Sequence, residues 1–214
     1  FTAKRDLPEW QSQPFGRDDI AAQPSGSGTP LILFVDTFNK YFEPENLRAA
    51  LRVLTAAGYD VFSPAIAEKR PLCCGRTYLS TGLVDKARAE ATRLCNAFAP
   101  FVEQGVSIVG LEPSCLLALR DEVPALLADE SATKIAAASL TFEELLVRDK
   151  PDLPLAQADG KVLLHGHCHQ KAFDVVKPVQ ALLGDVAGFE VELVETSCCG
   201  MAGAFGYGAD TYET

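Results

Sequence analysis

The chain has 214 residues, of which 48% are hydrophobic and 22% charged, a composition typical of a globular fold and not of a disordered chain. Its 19 Lys and Arg residues are outnumbered by 29 Asp and Glu residues, which gives a net charge of −10. An acidic surface repels phosphate backbones, so we expect no nucleic-acid partner. No apolar run approaches the roughly 20 residues that span a bilayer, so we expect no transmembrane segment.

The predicted elements alternate between strands and helices. Residues 1–30 are rich in Pro, Gly and Ser and predict a linker or extension, pinned to the body by Trp10 and Phe15. Hydrophobic periodicity then predicts strands at 31–35, 59–62 and 106–111, and helices at 44–57, 83–98 and 114–127, the last broken at Pro124. This alternation indicates a parallel sheet with helices on its faces.

The same order restarts in the second half of the chain. After a connecting segment, 129–160, with a helix at 141–148, the pattern predicts a strand at 162–164, a helix at 178–183 and a strand at 189–194. Each half thus has a strand, a polar cluster, a helix, a strand and a Cys-Cys-Gly tripeptide. We predict an α/β fold of two pseudo-repeated Rossmann-like units, 31–128 and 161–214, with parallel sheets and with their cysteine clusters at a shared face.

We expect the chain to be a piece of a longer protein, because it starts without Met, and we expect the second unit to be truncated at its C-terminus. It begins without the pattern of a signal peptide, which favours a reduced, cytoplasmic setting. Seven cysteines cannot all pair within one chain, so the cysteines indicate metal or redox chemistry: Cys73, Cys74, Cys95, Cys115, Cys168, Cys198 and Cys199.

Adjacent cysteines fit one tetrahedral zinc poorly but can reach two irons of one cluster. The Gly after each pair lets the backbone turn tightly against a bulky inorganic group. The alternative explanation of each cysteine pair is a strained vicinal disulfide or two buried thiols without a metal. Cys115 follows the third strand, so we expect it at the same sheet edge. Cys95 lies within the long helix and is predicted to be a small packing residue.

All three histidines lie in one segment, His165-Gly166-His167-Cys168-His169, directly after a strand. Imidazole and thiolate together could bind zinc or ligate an iron. Cys168 is the better ligand candidate, and His167 is a further one. For His165 and His169 we expect hydrogen bonds that orient the ligands or fix a turn.

These motifs resemble the duplicated cysteine-rich (CCG) domain. The residues that carry the resemblance are Asp36-Thr37-Phe38, Cys73-Cys74-Gly75, Glu112-Pro113-Ser114-Cys115, the histidine segment, and Cys198-Cys199-Gly200 with the Met201–Gly206 run after it. That domain occurs in heterodisulfide reductase subunits, in the glycolate oxidase iron–sulfur subunit and in anaerobic glycerol-3-phosphate dehydrogenase. The resemblance is greatest to the C-terminal module of bacterial FAD-linked oxidases that act on D-lactate, glycolate or D-2-hydroxyglutarate, and it covers residues 30–214.

The resemblance implies an iron–sulfur cluster of the 4Fe–4S type, with FAD held in another domain. It assigns cluster binding to Cys73, Cys74, Cys115, Cys168, Cys198 and Cys199. The sequence departs from the family pattern at Thr37 and Glu112, where two further cysteines are expected. Neither half can supply five thiolates, so one site shared across the two halves is the more economical interpretation.

The sequence therefore predicts an electron-transfer module of a flavin-dependent 2-hydroxy-acid oxidoreductase, inactive as a fragment. Its expected partners are the FAD and ferredoxin-like domains of the same protein and a quinone or other acceptor, with the module in the cytoplasm or peripheral at the inner membrane face. Even if the intact enzyme carries a cluster, we expect that the site in this fragment can be filled by zinc or empty. The alternative functions are a structural zinc module that docks domains and a thiol–disulfide site built from vicinal cysteines.

Overall fold

The computed structural model describes residues 1–64, 70–153, 158–196, 199 and 205–213. The chain divides into two compact units. The first unit comprises residues 11–156, and the second comprises residues 157–214 together with residues 1–10. No helix within the described residues combines the length and the hydropathy needed to cross a membrane.

The described strands all pair in parallel. They are β1 (Thr29–Phe34), β2 (Tyr59–Phe62), β3 (Ser107–Gly110), β4 (Ser139–Thr141), β5 (Lys161–Leu164) and β6 (Glu190–Leu193). The first unit contains a four-stranded sheet in the order β2-β1-β3-β4, and the second contains the pair β5-β6. Together with 45% helix, this confirms the predicted α/β fold with parallel sheets. The repetition of one Rossmann-like unit stays a prediction.

The described α-helices connect these strands. They are α1 (Thr37–Tyr41), α2 (Pro44–Ala56), α3 (Arg76–Ser80), α4 (Val84–Val102), α5 (Pro113–Ala118), α6 (Glu122–Leu127), α7 (Glu130–Ala138), α8 (Phe142–Asp149), α9 (Cys168–Ala172) and α10 (Val176–Ala181). A π-helical turn over Leu182–Val186 and a 3-10 turn over Phe205–Tyr207 complete the described elements. The helices α1, α3, α7 and α9 were not predicted.

Strand β1 is buried on both faces, as its continuous apolar run predicts. Ile32 and Phe34 belong to the apolar cluster that α4 completes, and the rings of Phe34 and Phe98 pack edge to face with centroids 6.0 Å apart. Because side chains alternate along a strand, Leu31 and Leu33 face the other side of the sheet. Both faces of the first sheet are therefore covered, which is what a parallel sheet requires.

The end of β3 and the start of α5 pack closely together. A Cβ atom at Gly110 would lie 2.9 Å from Leu116 Cδ1, so a larger residue at this strand end would require the Leu116 side chain to shift. The Glu112 carboxylate caps α5 by accepting a hydrogen bond from the Ser114 backbone N–H at 3.1 Å. The tight strand-to-helix turn places Cys115 in the first turn of α5, directly at the carboxyl edge of the sheet.

Two predicted boundaries differ from the structure. The break expected at Pro124 lies earlier, because α5 ends at Ala118 and α6 begins at Glu122. Pro124 is tolerated in the first turn of α6, where a backbone N–H has no partner within the helix. The predicted connecting segment contributes β4, which pairs with β3, and so adds an edge strand to the sheet.

The predicted extension packs partly against the first unit. Phe15 is 1% exposed and Ile20 is buried, and Ala21 forms an isolated parallel bridge with Phe62. Trp10 is 67% exposed, so of the two aromatic residues expected to pin this segment only Phe15 is buried. The domain boundaries drawn from the sequence stay predictions.

Candidate functional site

The first sheet has a topological switch point between β1 and β3. The chain passes from β1 to β2 on one side, and β3 then pairs with β1 on the other side. In open parallel sheets, ligands bind beyond the carboxyl ends of the strands at such a switch point. The residues that follow β1 and β3 here are Asp36 and Glu112, so the topology favours a site between them.

A pair of carboxylates lies at this switch point. Asp36 is 2% exposed, and its carboxylate accepts hydrogen bonds from the Asn39 backbone N–H at 2.9 Å and from Asn39 Nδ2 at 2.8 Å. Burial raises the pKa of Asp36, the Asn39 hydrogen bonds oppose that rise, and the charge of Glu112 adds to it. Thr37, where the resemblance places a cysteine, is the exposed first residue of α1.

The first Cys-Cys-Gly tripeptide lies against α4. Gly75 has a φ of +80°, and a Cβ atom there would lie 3.0 Å from the Ala87 carbonyl oxygen. The Gly75 N–H donates to Cys73 Sγ at 3.4 Å, and Gly75 then caps the N-terminus of α3. Only glycine combines this left-handed backbone with so close an approach to a helix, so the tripeptide's glycine fixes where both thiols lie.

Three thiols form a hydrogen-bonded chain at the carboxyl edge of the first sheet. Cys73 is hydrogen-bonded to Cys74, and Cys74 is hydrogen-bonded to Cys115. The hydrogen bond to Cys115, followed by burial, raises the pKa of Cys74 to about 12, although the bond from Cys73 lowers it. The hydrogen bond to Cys74 and burial also raise the pKa of Cys73. In this state Cys73 and Cys74 are protonated at neutral pH, and a metal must displace their protons to bind them.

A buried glutamate holds the segment that leads into these thiols. The Glu90 side chain is 3% exposed and pairs with Arg70 and Arg93. Arg93 also donates to the Arg70 carbonyl at 2.9 Å and to the Pro71 carbonyl at 3.4 Å. Sequence reasoning missed Glu90, but a signal was present. It lies three residues after Ala87, on the apolar face of α4, where an acidic side chain needs a partner.

The histidine segment follows β5 in the second unit. The Nδ1 atom of His167 accepts from the His169 backbone N–H at 3.2 Å, and Gln170 accepts from the His167 N–H at 3.1 Å, which caps α9. Lys171 Nζ lies 3.4 Å from His165 Nε2 and donates to the Thr196 carbonyl at 2.7 Å, which ties the loops after β5 and β6 together. A turn-fixing role is therefore visible for His167 as well.

The remaining cysteines differ in their surroundings. Cys168 is the half-buried first residue of α9, and Cys199 is exposed. Cys198 lies outside the described residues. Cys95 is 4% exposed within the apolar cluster, as predicted for a packing residue, and burial raises its pKa to about 12.

The structure thus brings Cys73, Cys74 and Cys115 together within the first unit, with Glu112 on the same helical turn as Cys115. Among the described residues, no group of three or more His, Cys, Asp or Glu side chains has the geometry to hold a metal ion. The three thiols nevertheless match a soft metal centre in the chemistry of their donor atoms. The shared face expected for both cysteine clusters stays a prediction.

Comparison with known proteins gives relatives among dehydrogenases and a lactate utilization protein. The chain is 28% identical over 217 residues to the C subunit of the anaerobic glycerol-3-phosphate dehydrogenase of Escherichia coli K12, covering 99% of this chain and 54% of that relative. It is 27% identical over 187 residues to the D-2-hydroxyglutarate dehydrogenase of Pseudomonas putida, covering 86% of this chain but 17% of that enzyme. It is also 27% identical over 184 residues to lactate utilization protein A 1 of Bacillus mycoides, covering 81% of this chain and 71% of that protein.

No protein-family model matches the chain. The chain spans about half the length of the glycerol-3-phosphate dehydrogenase relative, and a smaller part of the D-2-hydroxyglutarate dehydrogenase. Two of these relatives are named as dehydrogenases or their subunits, which fits the CCG-type module of FAD-linked oxidoreductases that the motifs resemble.

Proposed function

We propose that the chain is the cysteine-rich electron-transfer module of a flavin-dependent oxidoreductase that acts on a D-2-hydroxy acid. The observation that carries the proposal is the chain of thiols from Cys73 through Cys74 to Cys115 at the switch point of the first sheet. The names of the D-2-hydroxyglutarate dehydrogenase and the lactate utilization protein support the substrate class. The glycerol-3-phosphate dehydrogenase relative, which matches nearly the whole chain, supports glycerol 3-phosphate as a second candidate substrate.

The cysteines of both units are the proposed ligands of an iron–sulfur centre: Cys73, Cys74 and Cys115 in the first, and Cys168, Cys198 and Cys199 in the second. Bound there, the cluster supplies one-electron transfer between flavin and acceptor. The chain's own residues prepare its binding. The capped turn of α5 fixes Cys115, while Glu90 and Gly75 hold the loop of Cys73 and Cys74 against α4. To ligate a metal, Cys73 and Cys74 would have to give up their thiol protons.

The partners follow from the same proposal. The FAD and ferredoxin-like domains belong to the intact protein, and electrons leave to a quinone or another acceptor. The proposed location is the cytoplasm, at the inner face of the membrane where a quinone is reached. Because the chain offers no flavin-binding part of its own in this proposal, the fragment alone is expected to be inactive toward substrate.

Iron and sulfide content of the intact protein, purified without oxygen, tests the proposal. We expect more iron than a ferredoxin-like domain explains, and we expect the excess to vanish in the C198S/C199S variant and to fall in the C73S/C74S variant. Cys95→Ala is the matched control, because Cys95 is buried in the apolar core and is expected to leave the iron content unchanged. Equal iron in all variants would refute a cluster in this module.

The same samples separate the alternative functions. Stoichiometric zinc without sulfide, lost in the cysteine variants, would indicate a structural docking module. Metal-free protein in which thiols become alkylated only after reduction would indicate a thiol–disulfide site. Turnover of the intact enzyme with D-2-hydroxyglutarate, D-lactate, glycolate and glycerol 3-phosphate distinguishes the two candidate substrate classes.

A further inference from the structure

Two cationic side chains face one small cavity beyond the carboxyl ends of β1 and β2. The cavity has a volume of about 90 Å³, and both Arg17 and Lys40 line it. Its position matches the edge at which open parallel sheets bind ligands. In a chain with a net charge of −10, two neighbouring cations at such an edge indicate a local site for an anion.

Neither cation forms an ion pair with a carboxylate of the described residues. Arg17 donates to the main-chain carbonyls of Ser63 at 2.8 Å and Pro64 at 3.3 Å, and Lys40 Nζ lies 5.3 Å from the centre of the Tyr41 ring. Two carboxylates of the same unit have other partners: Asp19 pairs with Arg48 at 2.8 Å, and Asp36 accepts from Asn39.

The half-buried Lys40 ammonium is in an unfavourable environment as it stands. Burial lowers the pKa of Lys40, and the charge of Arg17 lowers it further. A bound anion between the two cations would offset both effects, because it adds an opposite charge where the ammonium has lost part of its hydration.

Apart from Ser63, the other side chains of the cavity wall are apolar. Phe15, Ile20, Phe34 and Phe98 line it and are all buried. The cavity volume of about 90 Å³ is several times the roughly 10–15 Å³ that one buried water needs, so the cavity accepts a small organic group. Apolar walls of this size suit a short hydrocarbon tail, whereas inorganic phosphate keeps polar oxygens on every side and would leave them without partners against the phenyl rings.

We propose that Arg17 and Lys40 bind the carboxylate of a small organic anion whose apolar part enters the cavity between Phe15 and Phe98. This site goes beyond the proposed electron-transfer function and does not depend on a cluster. Pro71 and Leu72, which lead directly into Cys73, form another part of the cavity wall. An anion bound here therefore contacts the segment that carries the first cysteine pair.

Calorimetric titration of the metal-free 214-residue chain tests the site, with acetate, propionate and inorganic phosphate as probes at constant ionic strength. We expect propionate to bind about fourfold more tightly than acetate, because one more methylene is buried, and phosphate to bind more weakly than either. We expect Lys40→Gln and Arg17→Gln each to weaken propionate binding by about tenfold or more, since each removes a charge-assisted hydrogen bond.

Matched controls remove the same charge elsewhere. Lys86→Gln and Arg52→Gln change exposed cations that do not line the cavity, and we expect unchanged propionate affinity in both. Arg17→Gln also loses hydrogen bonds to two carbonyls; if circular dichroism shows that this variant is unfolded, Lys40→Gln alone decides. No propionate binding at about 50 mM, unchanged binding by Lys40→Gln, or tighter binding of phosphate than of propionate would each overturn the proposal.

Discussion

Replacing Gly75 by Ala tests whether the Cys-Cys-Gly loop depends on its close contact with α4. Gly75 has a φ of +80°, a conformation that costs a residue with a Cβ atom about 1–2 kcal/mol. The new Cβ atom would also lie 3.0 Å from the Ala87 carbonyl oxygen and 3.3 Å from Glu90 Cβ. Because these atoms belong to a long packed helix, moving them adds about 1–2 kcal/mol. We expect Gly75→Ala to lower the free energy of unfolding by about 2–4 kcal/mol.

Gly82→Ala is the matched control for the backbone term. Gly82 has a φ of +76°, in the same unit as Gly75, but nothing lies within 4 Å of the position of its Cβ. We expect this variant to lose only the backbone term of about 1–2 kcal/mol. Urea unfolding followed by far-ultraviolet circular dichroism measures both variants against the parent chain. If the two variants lose equal stability, the contact with α4 contributes nothing and the explanation of the tripeptide's glycine is wrong.

Three further predictions follow from the buried charges and thiols. Glu90→Gln leaves two arginines without their buried carboxylate and should lower the free energy of unfolding in urea by about 3 kcal/mol. Its control, Glu130→Gln at an exposed ion pair, should lower it by less than about 1 kcal/mol. Equal losses in the two variants would refute the buried pairing. In metal-free reduced protein at pH 8, iodoacetamide should label the exposed Cys199 at least about 100-fold faster than Cys74, because Cys74 is buried and its pKa is raised to about 12. Peptide mass spectrometry measures both labelling rates, and comparable rates would contradict the thiol chain. In the unfolded state the thiols lose their protons near pH 8.5, whereas in the folded state Cys74 keeps its proton up to about pH 12. The urea concentration at the unfolding midpoint should therefore fall as pH rises from 8 to 10, and it should fall less steeply in Cys74→Ala. The same slope in both proteins would rule out this contribution of Cys74.

Much of the fold follows from local sequence patterns. The apolar run at 31–35 predicts β1, the spacing of apolar residues along 83–98 predicts α4, and both elements lie within a few residues of the predicted bounds. Parallel pairing also follows, because each strand is separated from the next by a helix. Local periodicity reports which face of an element is buried, and that information lies within a few turns of chain.

The break before α6 shows the limit of such rules. Proline predicts a helix break, but the same residue is also favoured in a first helical turn. Pro124 takes the second role because three residues separate the end of α5 from the start of α6. A sequence rule with two outcomes is decided by where the neighbouring helix ends.

The sequence by itself identified the cysteines and placed them after strands, because thiol chemistry and strand periodicity are both visible along the chain. Only the tertiary structure decided which of them meet. Cys74 reaches Cys115, and Asp36 approaches Glu112, because β3 pairs with β1 on the side away from β2. The order of strands in a sheet depends on contacts between residues distant in the chain, which periodicity does not encode.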